Sequence, residues 1–418
     1  MKLLDVLVIG AGPAGLAAAL AAKQNGAKSI LLLERDTDLG GILQQCIHTG
    51  FGLQTFHEEV TGPEYAQRFI RQLQEQEIPV QCDTMVLDIT PDHVVSTACP
   101  DNGLEQFKAK AIVLAMGCRE RPRGMLGIPG SRCSGIFTAG TAQRFVNIDG
   151  YLPGKNIVIL GSGDIGLIMA RRLALEGAHI ISVLEIMPYS AGLKRNVVQC
   201  LDDFHIPLKL QHTVTRIHGK ERLEAVTVVK VDDQQKPIPG TEEIVPCDTL
   251  LISCGLIPEN ELSKTAGIQL DEVTGGPIVD QNMQTSVPGI FACGNVLHVH
   301  DLVDNVSQEA ALAGAAAAQF AEGQNAITIA QIIDGPGVKG VVPQRITDPM
   351  QTKATIQFRV TSLFRNATIE LLRDGAVVVS KKARILAPGN MASIDLKPDL
   401  LSSDRHHVFT VQIQEASK

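Results

Sequence analysis

Gly10-Ala11-Gly12-Pro13-Ala14-Gly15 is the stretch that decides the fold. An apolar run, residues 3–9, leads into it and an Ala/Leu-rich run leads away. In such a turn the first glycine permits the sharp passage from strand to helix. The second lets the backbone approach a pyrophosphate, and the third lets helix and strand pack closely. The following helix turns its positive end toward the phosphates. The pattern recurs as Gly161-Ser162-Gly163-Asp164-Ile165-Gly166, after the apolar run 156–160. Each copy is followed by a second apolar run ending in an acid. Glu34 and Glu185 stand at the same offset, 24 residues, from Gly10 and Gly161. A carboxylate there accepts from a ribose hydroxyl. One glycine motif alone is weak; two copies, each with strand, helix and acid in place, imply two nucleotides on one chain.

Working outward, helical spacing of Tyr65, Phe69, Ile70 and Leu73 predicts a helix over 62–76. Strands are expected at 80–89, 94–99 and 105–108, then a buried strand at 110–115 ending in Met116-Gly117. The second half repeats this order, with strands near 207–210, 214–218 and 223–231 and a buried strand at 248–253 ending in Cys254-Gly255. The order is an internal duplication. Residues 274–322 return to the first unit with a strand and turn at 285–294 and an alanine-rich helix at 307–322. From about 346 to 414 apolar and polar residues alternate between turn signals, as in a small β-sandwich. The expected fold class is α/β: two Rossmann-like dinucleotide-binding domains with a small C-terminal antiparallel β-sandwich. The expected domains are 1–118 with 275–330, then 119–274, then 345–418.

Composition narrows the function. A net charge of −8 on 418 residues argues against nucleic acid as the main partner. Nine cysteines form no CxxC, so no thioredoxin-type disulfide and no clustered zinc or iron–sulfur site is written here. Their odd number, with no signal peptide, fits a reducing cytoplasm. The apolar stretch 3–22 is read as strand, turn and helix rather than as a membrane span, because Asp5 and the Gly-Pro turn interrupt it.

The double motif, the turn Ala115-Met-Gly-Cys118 and the run Gly289-Ile-Phe-Ala-Cys-Gly294-Asn295 resemble the two-dinucleotide-binding flavoproteins, the pyridine nucleotide-disulfide oxidoreductase-like family of thioredoxin reductase, glutathione reductase and NADH oxidases. The resemblance covers about residues 1–325. More narrowly, Gly40-Gly-Ile-Leu-Gln-Gln-Cys-Ile-His48 and Val296-Leu-His-Val-His-Asp-Leu-Val303 are similar to the flavoprotein paired with anaerobic glycerol-3-phosphate dehydrogenase, and to large subunits of hydrogen cyanide synthase and opine dehydrogenase.

The resemblance implies FAD on the first unit and NAD(H) on the second. Gly10, Gly12, Pro13, Ala14 and Gly15 would line the FAD pyrophosphate, with Glu34 and Arg35 at its adenosine end. Gly41 follows in the next loop, Val86 meets adenine through its backbone, and Ala115 and Gly117 close a turn beside the cofactor. Gly294 would offer backbone amides, and Asn295 stands where the family has aspartate; an amide still bonds a ribityl hydroxyl. Gly161, Gly163 and Gly166 would hold the second pyrophosphate, Glu185 its ribose, and Gly255 would flank the nicotinamide half. A carboxylate at Glu185 repels a 2′-phosphate, which favours NAD over NADP. The relatives' dithiols are missing: Leu43 and His48 stand at one pair of positions, Thr138 and Thr141 at the other. Electrons must leave another way. The resemblance implies a partner dehydrogenase or iron–sulfur protein, docking through the C-terminal β domain, and membrane contact only through such partners.

Four functions stay open. The first is an FAD-dependent NADH oxidoreductase that transfers electrons within a dehydrogenase complex. The second is a stand-alone NADH oxidase or peroxidase using Cys46. The others are a flavin-dependent dehydrogenase of a small hydroxy or amino acid, and a non-catalytic nucleotide-binding component of an assembly. Cys46 and His48 are candidate flavin-facing groups, a thiolate and its charge partner; the plainer reading of Cys46 is a buried apolar residue. His298, His300 and Asp301 are candidates for proton supply, since alternation puts both imidazoles on one side of an extended segment. The plainer reading is a helix start capped by Asp301. Metal binding stays an open but weaker reading, because two histidines and a carboxylate without a third clear ligand are weak evidence, and no metal is expected. Arg119, Arg121 and Arg123 either meet phosphate or form a solvated loop.

Overall fold

The computed structural model describes residues 2–324, 327–348, 350, 352–401 and 406–415. Two compact units result: one holds the chain up to Cys118 and from Pro258 onward, the other Arg119–Ile257. The expected outer limits, residues 1 and 418, lie outside the described residues.

In the first unit the opening strand Lys2–Ile9 lies between Ile30–Leu33 and Gly103–Leu114, parallel to both. Val80–Gln81 extends the sheet on one side, and Ile290–Ala292 joins Gly103–Leu114 in parallel. Residues 105–115 were expected as two strands; they form one, Gly103–Leu114. Its burial alternates through its first part, where Val94–Cys99 pairs antiparallel, and becomes continuous from Ala111 in the parallel part. That change is what a sheet covered on one face and then on both requires. Conversely, 80–89 splits into Val80–Gln81 and Met85–Ile89. The helix Pro13–Gln24 is buried without a break from Ala14 to Ala22. It packs against Val303–Ala321 so closely that a Cβ on Gly314 would lie 2.0 Å from Ala18 O.

The second unit has a five-stranded sheet in the order Ile136–Thr138, Thr249–Ile252, Asn156–Leu160, His179–Glu185, Leu208–Leu210, parallel throughout. His212–Gly219, Leu223–Lys230 and Glu243–Pro246 form an antiparallel sheet, and the first two match the strands expected there.

The return to the first unit comes at Pro258, earlier than the expected 275. Ala266 and Ile268 sit in the first unit's core, and buried Asn260 donates to Gly275 O and Val296 O, both at 2.9 Å. A buried amide needs both donors satisfied, which pins this segment. The C-terminal module also starts before 345. One sheet runs Arg345–Asp348, Ile327–Asp334, His407–Glu415, Phe364–Arg373, Ala376–Leu386; the other runs Val338–Val342, Ala354–Val360, Ala392–Leu396. Their inner faces share one core around Ile356, Phe358, Leu371 and Phe409. Pairing is antiparallel except that Ile327–Asp334 runs parallel to His407–Glu415. The module is bonded to the return segment: Val279 N donates to Gln344 Oε1 at 3.0 Å, and Thr347 Oγ1 donates to buried Asp280 at 3.1 Å.

Candidate functional site

Each glycine of the first turn has its own physical reason. Gly10 has φ +97°, and a Cβ there would lie 2.6 Å from Ala115 O. A Cβ on Gly15 would lie 1.7 Å from Gly10 O, whereas one on Gly12 would meet nothing within 4 Å. The outer glycines are demanded by packing; the middle one faces open space. That open cradle, at the start of the helix begun by Pro13, fits a pyrophosphate. Buried Glu34 accepts from Ala11 N at 2.6 Å through one oxygen and from Asp36 N at 2.9 Å through the other, and Arg35 beside it is exposed. Each carboxylate oxygen keeps a lone pair for a ribose hydroxyl. Val86 is buried beside an irregularity in strand pairing, and Gly117 has φ +73° with nothing near its missing Cβ.

The short helix Gly41–Gln45 rests on this turn: Gly40 N donates to Ala11 O at 2.8 Å, and a Cβ on Gly41 would lie 3.0 Å from Gly12 Cα. It delivers half-buried Cys46, whose carbonyl accepts from Gly62 N, and half-buried His48. The His48 ring lies 5.0 Å from Phe51, and its Nδ1 meets the Thr49 carbonyl.

His298 and His300 do come together, on a residue the sequence reading missed. Glu309, in the helix Val303–Ala321, receives His298 Nε2 on Oε2 at 2.7 Å and His300 Nε2 on Oε1 at 3.1 Å. Gly294 N also donates to Oε1, at 2.7 Å. The three side chains are 5%, 1% and 4% exposed. Burial alone would raise the Glu309 pKa, but the imidazoles of His300 and His298 outweigh it and hold the carboxyl well below its usual range. Burial pushes His298 down, only partly offset by Glu309, so its ring is neutral near pH 7. A Cβ on Gly294 would lie 2.9 Å from Ala14 Cβ, so the cluster packs directly behind the first turn of the glycine helix. The spacing of these groups, within 4.8 Å, is one that also suits a metal ion, and the third group absent from the sequence reading is Glu309. Its signal was present: in Val306, Glu309, Ala313, Ala317 the acid falls in the buried stripe of an alanine-rich helix.

Asp301 does not join them and does not cap the helix; the residue before Val303 makes no side-chain cap. Its carboxylate takes Arg359 Nη2 at 2.6 Å and Met391 N at 2.6 Å, both from the C-terminal module. Arg359 also donates to Val299 O at 3.0 Å. A distant arginine with two acceptors to satisfy outcompetes a local cap. Asn295 is turned inward: Oδ1 accepts from His300 N at 3.0 Å and Nδ2 lies 3.5 Å from Cys118 Sγ.

The second turn repeats the first. A Cβ on Gly161 would lie 2.1 Å from Ser253 O and one on Gly166 2.7 Å from Gly161 O; Gly163 has only Ser253 Oγ, at 3.9 Å. Buried Glu185 accepts from Ser162 N at 3.0 Å and Met187 N at 3.0 Å. The sequence reading also missed a strap over this turn: Gly192 N donates to Ser162 O at 2.9 Å and Leu193 N to Asp164 at 2.8 Å. Gly255 has φ +101° with open space beside it, and burial pushes the preceding Cys254 thiol up to about 11. Arg123 is spent on its own loop; it donates to the carbonyls of Ile128, Gly130 and Ser131. Thr138 caps a helix, with its hydroxyl 2.9 Å from that of Thr141. No disulfide links any of the nine cysteines.

Residues 4–319 match the family model described as pyridine nucleotide-disulphide oxidoreductase. The chain is similar to an opine oxidase subunit of Agrobacterium tumefaciens (strain Ach5), 26% identical over 315 residues, covering 70% of this chain and 61% of that protein. It is also 26% identical over 298 residues to an alkyl hydroperoxide reductase subunit of Staphylococcus aureus (strain Mu50 / ATCC 700699), covering 70% and 54%. The aligned regions thus span little more than half the length of these relatives. Thioredoxin reductase of T. acidophilum shares the fold with TM-score 0.63 and 24% identity over 76% of this chain and 99% of that one. The NAD-dependent persulfide reductase from A. fulgidus shares it with TM-score 0.59 and 19% identity over 89% and 68%. The chain belongs to the pyridine nucleotide-disulphide oxidoreductase family, whose members bind FAD and a nicotinamide nucleotide.

Proposed function

We propose that this protein is an FAD-dependent NADH oxidoreductase that passes electrons between NAD(H) and a partner protein or small acceptor, as part of a dehydrogenase complex of the glycerol-3-phosphate or opine type. One observation carries it: both nucleotide turns are complete, while neither position of the relatives' dithiols holds a thiol pair. Leu43 is buried core, and Thr138 and Thr141 spend their hydroxyls on a helix start. FAD, when bound, would take up two electrons from the nicotinamide and release them to the acceptor. Gly10, Gly12 and Gly15 would bind its pyrophosphate, Glu34 its ribose, and the stacked loop of Gly41 would cover it. Gly161, Gly163, Gly166 and Glu185 would bind NAD(H), with Glu185 disfavouring a 2′-phosphate.

Anaerobic titration of the yellow protein with NADH, and separately with NADPH, tests this by flavin absorbance. Bleaching by NADH in preference to NADPH is the expected result; no bleaching by either overturns it. The similarity to the opine oxidase protein supports a second reading, direct oxidation of a small amino-acid derivative at the flavin. Bleaching by such a compound, and not by NADH, would select it. The C-terminal module is the proposed docking surface for the partner.

A further inference from the structure

The two glycine turns differ at one inner position. Between the first and second glycines stands Ala11 in one copy and Ser162 in the other. Ser162 is buried, and so is Glu185. The serine hydroxyl accepts from Ala191 N at 3.1 Å and gives its one hydrogen to Glu185 Oε2 at 2.5 Å. Ser162 N donates to the same oxygen at 3.0 Å, and Met187 N donates to Oε1 at 3.0 Å. Among the described residues Glu34, the matching acid of the first turn, takes one amide on each oxygen and no hydroxyl. Oε2 of Glu185 therefore holds two donors, one of them in a short, charge-assisted bond, and the open acceptor position lies on Oε1. Ser162 also carries the strap. Its carbonyl accepts from Gly192 N at 2.9 Å and from Ser190 Oγ at 3.1 Å. Asp164 completes the latch, with Oδ1 taking Leu193 N at 2.8 Å and Asn196 Nδ2 at 2.7 Å. Two positions that the glycine pattern leaves unspecified thus hold the strap and the acid together.

We propose that Ser162 sets the selectivity of the second turn for NAD(H) over NADP(H), acting through Glu185. This rests on the placement of NAD(H) proposed above. Ser162 is a positioning residue. A glutamate at a strand end is free to turn about its side-chain torsions, and a turned carboxylate neither meets a ribose hydroxyl squarely nor keeps a phosphate out. The serine hydroxyl removes that freedom by fixing Oε2, which leaves Oε1 as the oxygen offered to the ribose. The same bonds withhold donors. A 2′-phosphate is bound through N–H and O–H groups and cations. Here Ser162 N, the Ser162 hydroxyl and Met187 N are all committed to Glu185. The next cations along the chain, Lys194 and Arg195, follow the strap and are exposed. Selectivity is thus built from a carboxylate held in place and from the donors it occupies, and the first turn, with Ala11, lacks the hydroxyl that does this.

Calorimetry of the oxidised holoprotein with ADP-ribose, and separately with 2′-phospho-ADP-ribose, tests this. Neither compound carries a nicotinamide, so no electron moves and binding alone is read. The native protein is expected to bind ADP-ribose about tenfold more tightly, or better. Ser162→Ala should weaken ADP-ribose about tenfold and the phosphorylated compound little, so that the ratio falls toward one. Ser162→Cys fills the same space with a weak donor. It should lower the ratio as well, and it carries the test if the alanine variant fails to fold. Equal weakening of both compounds, with the native ratio kept, overturns the proposal, because the serine would then only prop the strap. A cysteine variant with the native ratio overturns it too, as does a native protein that prefers the phosphorylated compound. A native protein that binds neither refutes the placement of NAD(H) itself, which separates that failure from a failure of the serine's role.

Discussion

The two glycine turns are near copies in backbone and opposites in what surrounds them. In both, the outer glycines are locked against carbonyls and the middle glycine faces open space. In both, a buried glutamate binds amides of its own turn. Behind the first turn, however, lies the cluster of His298, His300 and Glu309, brought by a segment that returns from far along the chain. The second turn carries a strap of backbone and a thiol whose pKa burial has raised to about 11. Nucleotide binding is thus a reading of the repeated unit, and among the described residues the paired imidazoles on a buried carboxylate stand only behind the copy proposed to hold the flavin.

The sharpest way to break that comparison is to substitute the outer glycines. Gly15→Ala must push a Cβ into Gly10 O, and Gly166→Ala does the same less severely at Gly161 O. Overpacking of this kind costs about 3 kcal/mol for Gly15, with a smaller loss for Gly166. Urea midpoints compare the two; equal, small losses would show that the turns relax freely.

The middle glycines separate binding from folding. Gly12→Ala and Gly163→Ala add a methyl group to open space, so neither should shift the urea midpoint. Gly12→Ala is expected to weaken FAD retention about tenfold or more, a change of roughly 1.4 kcal/mol. Gly163→Ala should leave flavin content intact and raise the NADH concentration needed for bleaching by a similar factor. Loss of flavin from the Gly163 variant would reverse the assignment of the two turns.

The C-terminal module sharpens the contrast from another side, because it braces the segment that carries the first turn's cluster. Arg359 ties Val299 and Asp301 on either side of His300. Arg359→Met should cost about 1.5–3 kcal/mol, the range for hydrogen bonds to a charged group. It should also loosen the 299–301 segment, visible as faster amide hydrogen exchange there and unchanged exchange in the second unit. Unchanged exchange at His300 would mean that the module is no brace.

How much of this was legible follows from sequence distance. The turns, their acids and the helices after them were readable because all determinants lie within one local unit. The strands Val94–Cys99, Asn156–Leu160 and His179–Glu185 were readable to the residue because glycines and polar turns bound them. The partner of Asp301 was not readable, since Arg359 comes from a strand 58 residues away. A local cap was the simplest local guess, and tertiary contact overrode it. Glu309 lay only 11 residues from His298 but looked like one more polar residue on an amphipathic helix. Its place in the buried stripe becomes decisive only once the two imidazoles are known to face it. The early strands Ile327–Asp334 and Val338–Val342 were missed because one takes a parallel partner, His407–Glu415, from far along the chain and the other pairs with Ala354–Val360 through a shifted register.

The smallest effect concerns acid. His298 is buried neutral, with its pKa below the ordinary 6.5, so the unfolded chain binds a proton that the folded one refuses. Its contribution to stability is complete above pH 6.5 and is lost progressively below it, by up to about 1.4 kcal/mol per pH unit. Glu309 acts lower on the scale: the contribution of its depressed carboxyl is complete above the ordinary value near 4.5 and is lost progressively as pH falls below it. Between pH 6.5 and 4.5 the first unit should therefore weaken through His298. His298→Asn, which cannot take the proton, should flatten the urea-midpoint profile over that interval. The second unit has no histidine bonded to a buried carboxylate among its described residues, so amide exchange should show acid sensitivity in the first unit alone. Equal sensitivity in both would remove the distinction between a turn that only binds and a turn backed by titratable groups.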